Sequence, residues 1–225
     1  MEHIVRFVYL VSIVLLITLL TEIFGHGMLM DPVSRSSAWR KGFENPINVD
    51  DNALYCGGVH QDRERRENFT CGVCGDDHNL PQPRPNEYGG EFGNGTIVKT
   101  YKVGERIEVS VNVTACHRGT FEFSLCPLDG SKDIETEDCF RKFPLKGKMI
   151  TPHNDTEETY FFGPADVNGD YTIELQLPAN FTCQHCSFRW EWIVGNNVGY
   201  CLNGTEALGC GTQETFRNCA DISIE

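Results

Sequence analysis

The chain has 225 residues, with 32 Asp and Glu against 19 Lys and Arg and a formal net charge of −13. That acidity makes nucleic acid and anionic membrane surfaces poor partners, and it leaves a neutral polymer compatible without selecting one. The 11 cysteines, none of them among the first 25 residues, argue for a disulfide framework in an oxidising compartment, with at least one thiol otherwise occupied because the number is odd.

Residues 1–25 read as a secretory leader. Arg6 lies in a short start, an apolar run from Phe7 to Leu20 is broken only by Ser12 and Thr18, polar Thr21-Glu22 follows, and the small Gly25 closes the segment. The run is short for a membrane span. Cleavage after Gly25 removes Glu2, Arg6 and Glu22, bringing the charge to −12, and leaves residues 26–225 as one domain with room for a real core. It also makes His26 the first residue, offering a metal both its α-amine and its imidazole. A cut a few residues away would leave His26 an ordinary surface side chain. Asn-x-Ser/Thr sequons at Asn68, Asn94, Asn112, Asn154, Asn180 and Asn203 fit a eukaryotic secretory route.

Residues 31–95 are rich in Gly, Pro, Asn and Asp and lack sustained periodicity. They are expected to form a long irregular segment held by cysteines, with short helical turns near Arg63 to Glu67. From Thr96 the pattern alternates: Ile107, Val109, Val111 and Val113 point one way, and Glu108, Ser110, Asn112 and Thr114 the other, which predicts a half-buried strand. Further strands are predicted at 97–103, 120–125, 159–162, 171–177, 188–194 and 216–224, separated by turn signals such as Asn168-Gly169-Asp170 and Gly195-Asn196-Asn197. The fold expected is all-β: an immunoglobulin-like or fibronectin-III-like antiparallel β-sandwich with a long disulfide-held loop insertion.

His117 falls just past the clearest strand, where a sheet presents it at a fixed position; read alone, such a histidine is more often an unremarkable surface residue. Glu214 and Phe216 are two apart on the last strand and so face one side, yet singly they read as an exposed charge and a core aromatic. Cys71/Cys74 and Cys183/Cys186 form two CxxC pairs that could hold structural zinc. Behind a leader, the better reading is that all four join the disulfide set, with pairing across the two motifs as one way to do so. Trp190 and Trp192 alternate on one strand and are expected in the core. Asp166 to Asp170 (DVNGD) opens like a calcium loop but lacks the distal glutamate, so a turn is expected. His60, His78, His153 and His185 are assigned to loops without a metal role. No pair of acids stands out as a glycosidase couple.

Taken together, the opening His26-Gly27, the stretch Asp31 to Arg40 (DPVSRSSAWR), Asn52 to Gly58 (NALYCGG), Cys71 to Asp76 (CGVCGD), Ala115-Cys116-His117, Gly209 to Phe216 (GCGTQETF) and Cys219 to Ile222 resemble the lytic polysaccharide monooxygenases, copper enzymes that cut crystalline polysaccharides. Within them the match is to auxiliary-activity family fifteen, known from arthropods and other eukaryotes, and it covers the whole mature chain. The resemblance implies a histidine brace for one copper ion. His26 would bind through its amine and Nδ1, and His117 through a ring nitrogen opposite the amine, a nitrogen set that suits copper. Phe216 falls at the axial position, where many members carry tyrosine, and cannot coordinate. Glu214 matches a carboxylate or carboxamide that hydrogen-bonds an oxygen species beside the metal. Ala115 matches a small residue that crowds the site, and Trp39 and Tyr55 lie where members build part of the binding face.

The activity so implied is oxidative cleavage of β-1,4 links in an insoluble polysaccharide, chitin ahead of cellulose. It would be carried out by a secreted, extracellular monomer using an external electron donor with dioxygen or hydrogen peroxide. A non-catalytic polysaccharide-binding or copper-binding protein on the same fold, or a copper carrier, is the alternative. Three bridges are expected: Cys116–Cys219, which would tie the His117 loop to the Phe216 strand, and the local pairs Cys126–Cys139 and Cys201–Cys210.

Overall fold

The structure is a computed structural model that describes residues 25–58, 71–128, 130, 134–163 and 166–225. The leader up to residue 24, the turns expected near Arg63 to Glu67, His60 and the sequon at Asn68 lie outside the described residues.

Two four-stranded sheets face each other. One is ordered β1 (His26–Asp31), β3 (Arg106–Ala115), β6 (Gly169–Gln176) and β5 (Lys146–Thr151). The other is ordered β2 (Lys99–Tyr101), β10 (Thr215–Ile224), β7 (Cys183–Ile193) and β4 (Thr120–Pro127). Every pairing is antiparallel except β2 on β10. A small hairpin, β8 (Val198–Tyr200) with β9 (Glu206–Leu208), stands apart in the connection from β7 to β10. The β-sandwich expectation holds, and the alternation of β3 is the reason it could be read. Ile107, Val109, Val111 and Val113 are buried between the sheets, against Phe121, Phe123, Trp190, Trp192 and Ile222, while the opposite face of β3 stays accessible.

The second sheet is covered twice. On β10, Phe216, Ala220 and Ile222 enter the inter-sheet core, while Arg217, Cys219 and Asp221 are buried on the other face. Residues 32–58 and 71–95 cover that outer face together with α1 (Glu137–Lys142), forming a third layer rather than a surface loop. Its links to the sheet are specific: Arg35, in a 3₁₀ turn over Arg35–Lys41, donates to Asp221, and Cys74 is bonded to Cys219.

Several expectations need correction. The segment 159–162 is not a strand; it contributes only isolated bridges from Thr159 to Gly147 and from Phe162 to Phe121. Strand β7 starts at Cys183, so His185 lies on a strand and not in a loop, with Nε2 2.7 Å from an Asp221 oxygen. Five disulfides form, Cys56–Cys71, Cys74–Cys219, Cys126–Cys139, Cys183–Cys186 and Cys201–Cys210. The two local bridges are as expected, but Cys219 pairs with Cys74 and not with Cys116. The reason is the face of β10: Cys219 points into the third layer, where Cys74 lies, while Cys116 follows the end of β3 in the other sheet. The CxxC pairs do not cross, since Cys183 closes on Cys186. Cys116 takes no part in a disulfide, and its Sγ is 3.9 Å from the Tyr171 hydroxyl.

Candidate metal centre

His26 opens β1, directly opposite Ala115 in the β1–β3 register, with a register shift immediately after it. Gly27 then passes so close to the core that a Cβ on it would lie 3.1 Å from Trp190 Cη2. Its N–H donates to the Asn52 carbonyl at 2.9 Å, so the irregular segment fixes the strand's start.

His117 sits two residues past Ala115, where the chain turns from β3 into β4. Arg118 and Gly119 make that turn with φ of 55° and 94°. Position 119 requires glycine, because a Cβ there would lie 2.0 Å from the Ile193 carbonyl oxygen. Two hydrogen bonds pin the turn: Trp192 Nε1 donates to the Arg118 carbonyl at 2.6 Å, and the Gly195 N–H to the His117 carbonyl at 2.8 Å. The His117 ring is only 5% exposed, which overturns the surface reading. Burial, with a smaller repulsion from His26, holds its pKa below the usual histidine value, so the ring is kept neutral with a lone pair to offer. Nδ1 lies 2.8 Å from Asn196 Nδ2. Nε2 is buried and has no hydrogen-bond partner among the described residues.

Phe216 is fully buried, with its ring 5.2 Å from that of Trp192 and 6.2 Å from that of Tyr55. Glu214 precedes β10 and is 3% exposed, so the exposed-charge reading fails; its carbonyl accepts the Val194 N–H at 3.1 Å. The convergence is clearest at Gly25, the residue bonded to His26. A Cβ built on it would lie 3.0 Å from Phe216 Cε2 and 3.1 Å from His117 Nδ1. The start of β1, the β3–β4 turn and β10 therefore bring His26, His117 and Phe216 to one place. Tyr55 borders it through Phe216. Trp39 is engaged within the irregular segment, donating to the Asn48 carbonyl at 3.2 Å with Arg40 over its ring. Asn196, read from the sequence only as part of a turn, is a site residue that no motif signalled.

A buried imidazole nitrogen without a partner, beside the residue that would carry a free α-amine, suits a nitrogen-preferring metal such as copper. The zinc alternative does not: all four CxxC thiols are in disulfides. A second grouping of potential ligands, Cys74, Glu135 and Cys219, is a disulfide beside a carboxylate already paired with Arg35.

The family model for lytic polysaccharide mono-oxygenases, described as cellulose-degrading, matches residues 26–222. The chain belongs to the lytic polysaccharide monooxygenases. The match opens on His26 and takes in the whole centre described above. Among solved structures, this monooxygenase is similar to the lytic polysaccharide monooxygenase AA15 from Thermobia domestica in the Cu(I) state. The two share 42% identity at a TM-score of 0.78, over 88% of this chain and 98% of that one. A chitin binding domain from Burkholderia pseudomallei aligns over 90% of this chain and 100% of its own, at 14% identity and a TM-score of 0.48, too distant to carry an argument. No curated protein matches the monooxygenase. Among its described residues no helix is long and apolar enough to cross a membrane.

Proposed function

We propose that the chain, cut before His26, is a secreted copper-dependent monooxygenase that cleaves β-1,4 links in an insoluble polysaccharide, chitin ahead of cellulose. The observation that carries this reading is the meeting of His26, His117 and Phe216 at the Gly25 corner, together with a His117 Nε2 that is buried and has no hydrogen-bond partner among the described residues. The copper-bound relative supports the metal, and exposed sequons at Asn94, Asn154, Asn180 and Asn203 support the secretory route.

In this reading His26 and His117 hold one copper ion, which supplies one-electron chemistry toward dioxygen or hydrogen peroxide once an external donor has reduced it. The residues around it do the rest. His117 is kept neutral by burial and is held in place by its pinned turn, so little ordering is left to be done when it binds. Phe216 has no heteroatom and covers one side of the site with an apolar ring, keeping water away there. Glu214, as a buried carboxylate, is an acceptor for an O–H of the co-substrate. Placement at one end of the sandwich, where the strands end, suits a substrate that is a surface.

The test is a protein beginning at His26, loaded with copper, given a reductant and incubated with chitin and with cellulose. Soluble oxidised oligosaccharides are expected, more from chitin, and are read by mass spectrometry. No product from either polymer, with copper shown to be bound, would sink the enzymatic reading. Polymer binding that persists without copper would then favour a carbohydrate-binding protein, and tight copper binding without polymer affinity a carrier.

A further inference from the structure

We propose that Asn196 is a positioning residue that selects the metal-binding tautomer of His117. The inference rests on the copper reading above. A neutral imidazole carries one hydrogen, on Nδ1 or on Nε2, and the nitrogen that holds it has no lone pair for a metal. The group facing one nitrogen therefore decides what the other can do. At His117 that group is the Asn196 side-chain amide, 2.8 Å from Nδ1.

As placed, Asn196 presents its Nδ2 edge. An amide nitrogen only donates, so Nδ1 accepts and the ring hydrogen sits on Nε2. This arrangement satisfies little: Nε2 and the Asn196 Oδ1 are both buried without a partner among the described residues. A half-turn of the amide about its last bond reverses the logic. Oδ1 then accepts from Nδ1–H, and the buried Nε2 carries the lone pair. Nδ2 takes over the buried position of Oδ1, so the turned state gains nothing by itself. A ligand on Nε2 tips the balance, since it replaces an unsatisfied buried atom with a bond. Metal binding and the turned amide are thus coupled, as expected where a metal-bound histidine donates its other N–H to an oxygen.

The backbone on both sides of Asn196 is tied by hydrogen bonds. Gly195 N–H holds the His117 carbonyl at 2.8 Å. On the other side, Gln213 spans the loop: its Oε1 accepts from the Asn197 N–H at 3.0 Å, and its Nε2 donates to the Asn197 and Cys210 carbonyls at 3.1 and 2.7 Å.

The test measures copper(II) affinity by calorimetry, with the electron paramagnetic resonance spectrum as a second readout, on protein beginning at His26. Asn196→Leu keeps the approximate shape and removes the acceptor. It should bind copper about 10- to 100-fold more weakly, the usual effect of removing such a partner, with changed copper hyperfine splitting. Asn196→Asp retains an oxygen acceptor and should bind within a few-fold of the unaltered protein or more tightly. Should the Leu variant not fold, Asn196→Ser, too short to reach the ring, carries the same expectation as Leu. Unchanged affinity and spectrum in Asn196→Leu or Asn196→Ser, or equal weakening in Asn196→Asp, overturns the assignment while leaving the copper site standing. Failure of the unaltered protein to bind copper overturns both.

Discussion

Gly25 is buried against Phe216 and His117, although it belongs to the segment whose removal would create the N-terminal ligand. While the Gly25–His26 bond is intact, the His26 nitrogen is a planar amide whose lone pair is delocalised into the carbonyl. It is then no ligand, and the residue ahead of it fills the corner between the histidine and the phenylalanine. A protein that retains Gly25 should therefore bind copper(II) on the order of 100-fold more weakly than one that starts at His26, because the loss of one chelating arm removes its effective concentration at the metal. Calorimetry on the two forms checks this, and equal affinities would dispose of the brace. The residues of this corner were unevenly legible. His26 and His117 stood out only through the family pattern and the apparent end of the leader. Glu214 and Phe216 looked bland because burial, which separates a site carboxylate from a surface one, depends on neighbours far away in the chain. Asn196 carries no signal at all in a Gly-Asn-Asn turn.

Strand β10 shows why some elements could be read and others could not. Alternation marks a strand when one face is apolar and the other wet, and β3 meets that condition. On β10 both faces are covered, so Arg217, Cys219 and Asp221 are buried in the third layer while looking like solvent-facing positions. Which face Cys219 occupies decides its partner, and that is settled by packing, not by spacing; hence the misplaced bridge to Cys116. Strands β8 and β9 are three residues each and largely exposed, too short for any pattern. The bridges also predict an order of stabilities. Cys74–Cys219 closes a separation of 145 residues and Cys201–Cys210 one of 9. In the loop-entropy account, replacing the first pair by alanines costs about 4–5 kcal/mol and the second about 2–3 kcal/mol. Denaturant melts of the two double variants should show the long-range pair as the larger loss. The reverse order would mean that the third layer is held without its covalent tie.

At the scale of the whole molecule, that layer is joined to the sandwich by buried charge. Arg35 pairs with Glu135 and Asp221, His185 also meets Asp221, and Arg189 and Arg217 share Glu137 and Glu191. Buried ion pairs add little over apolar packing, but breaking one strands a charge. For Asp221, burial alone would raise the carboxyl; the charge and hydrogen bonds of Arg35, aided by His185, outweigh it and hold the pKa below the ordinary carboxylate value. A folded pKa below the unfolded one, about 3.9, gives stability that is fully present above that value and is lost as the pH falls through the folded pKa. Asp76 runs the other way. Burial is its largest influence and raises it despite hydrogen bonds from Asn86, so its contribution is present in acid and is lost as the pH rises. Asp221 therefore acts below about pH 4 and Asp76 above it, and comparing variants separates them. Asp221→Asn should be less stable at neutral pH by about 3 kcal/mol or more, since Arg35 loses a buried counter-charge. Its urea midpoint should also fall less steeply than that of the unaltered protein as the pH is lowered below 4. Parallel acid profiles would show that Asp221 does not tie the third layer to the sheet and that the acid-labile charge lies elsewhere.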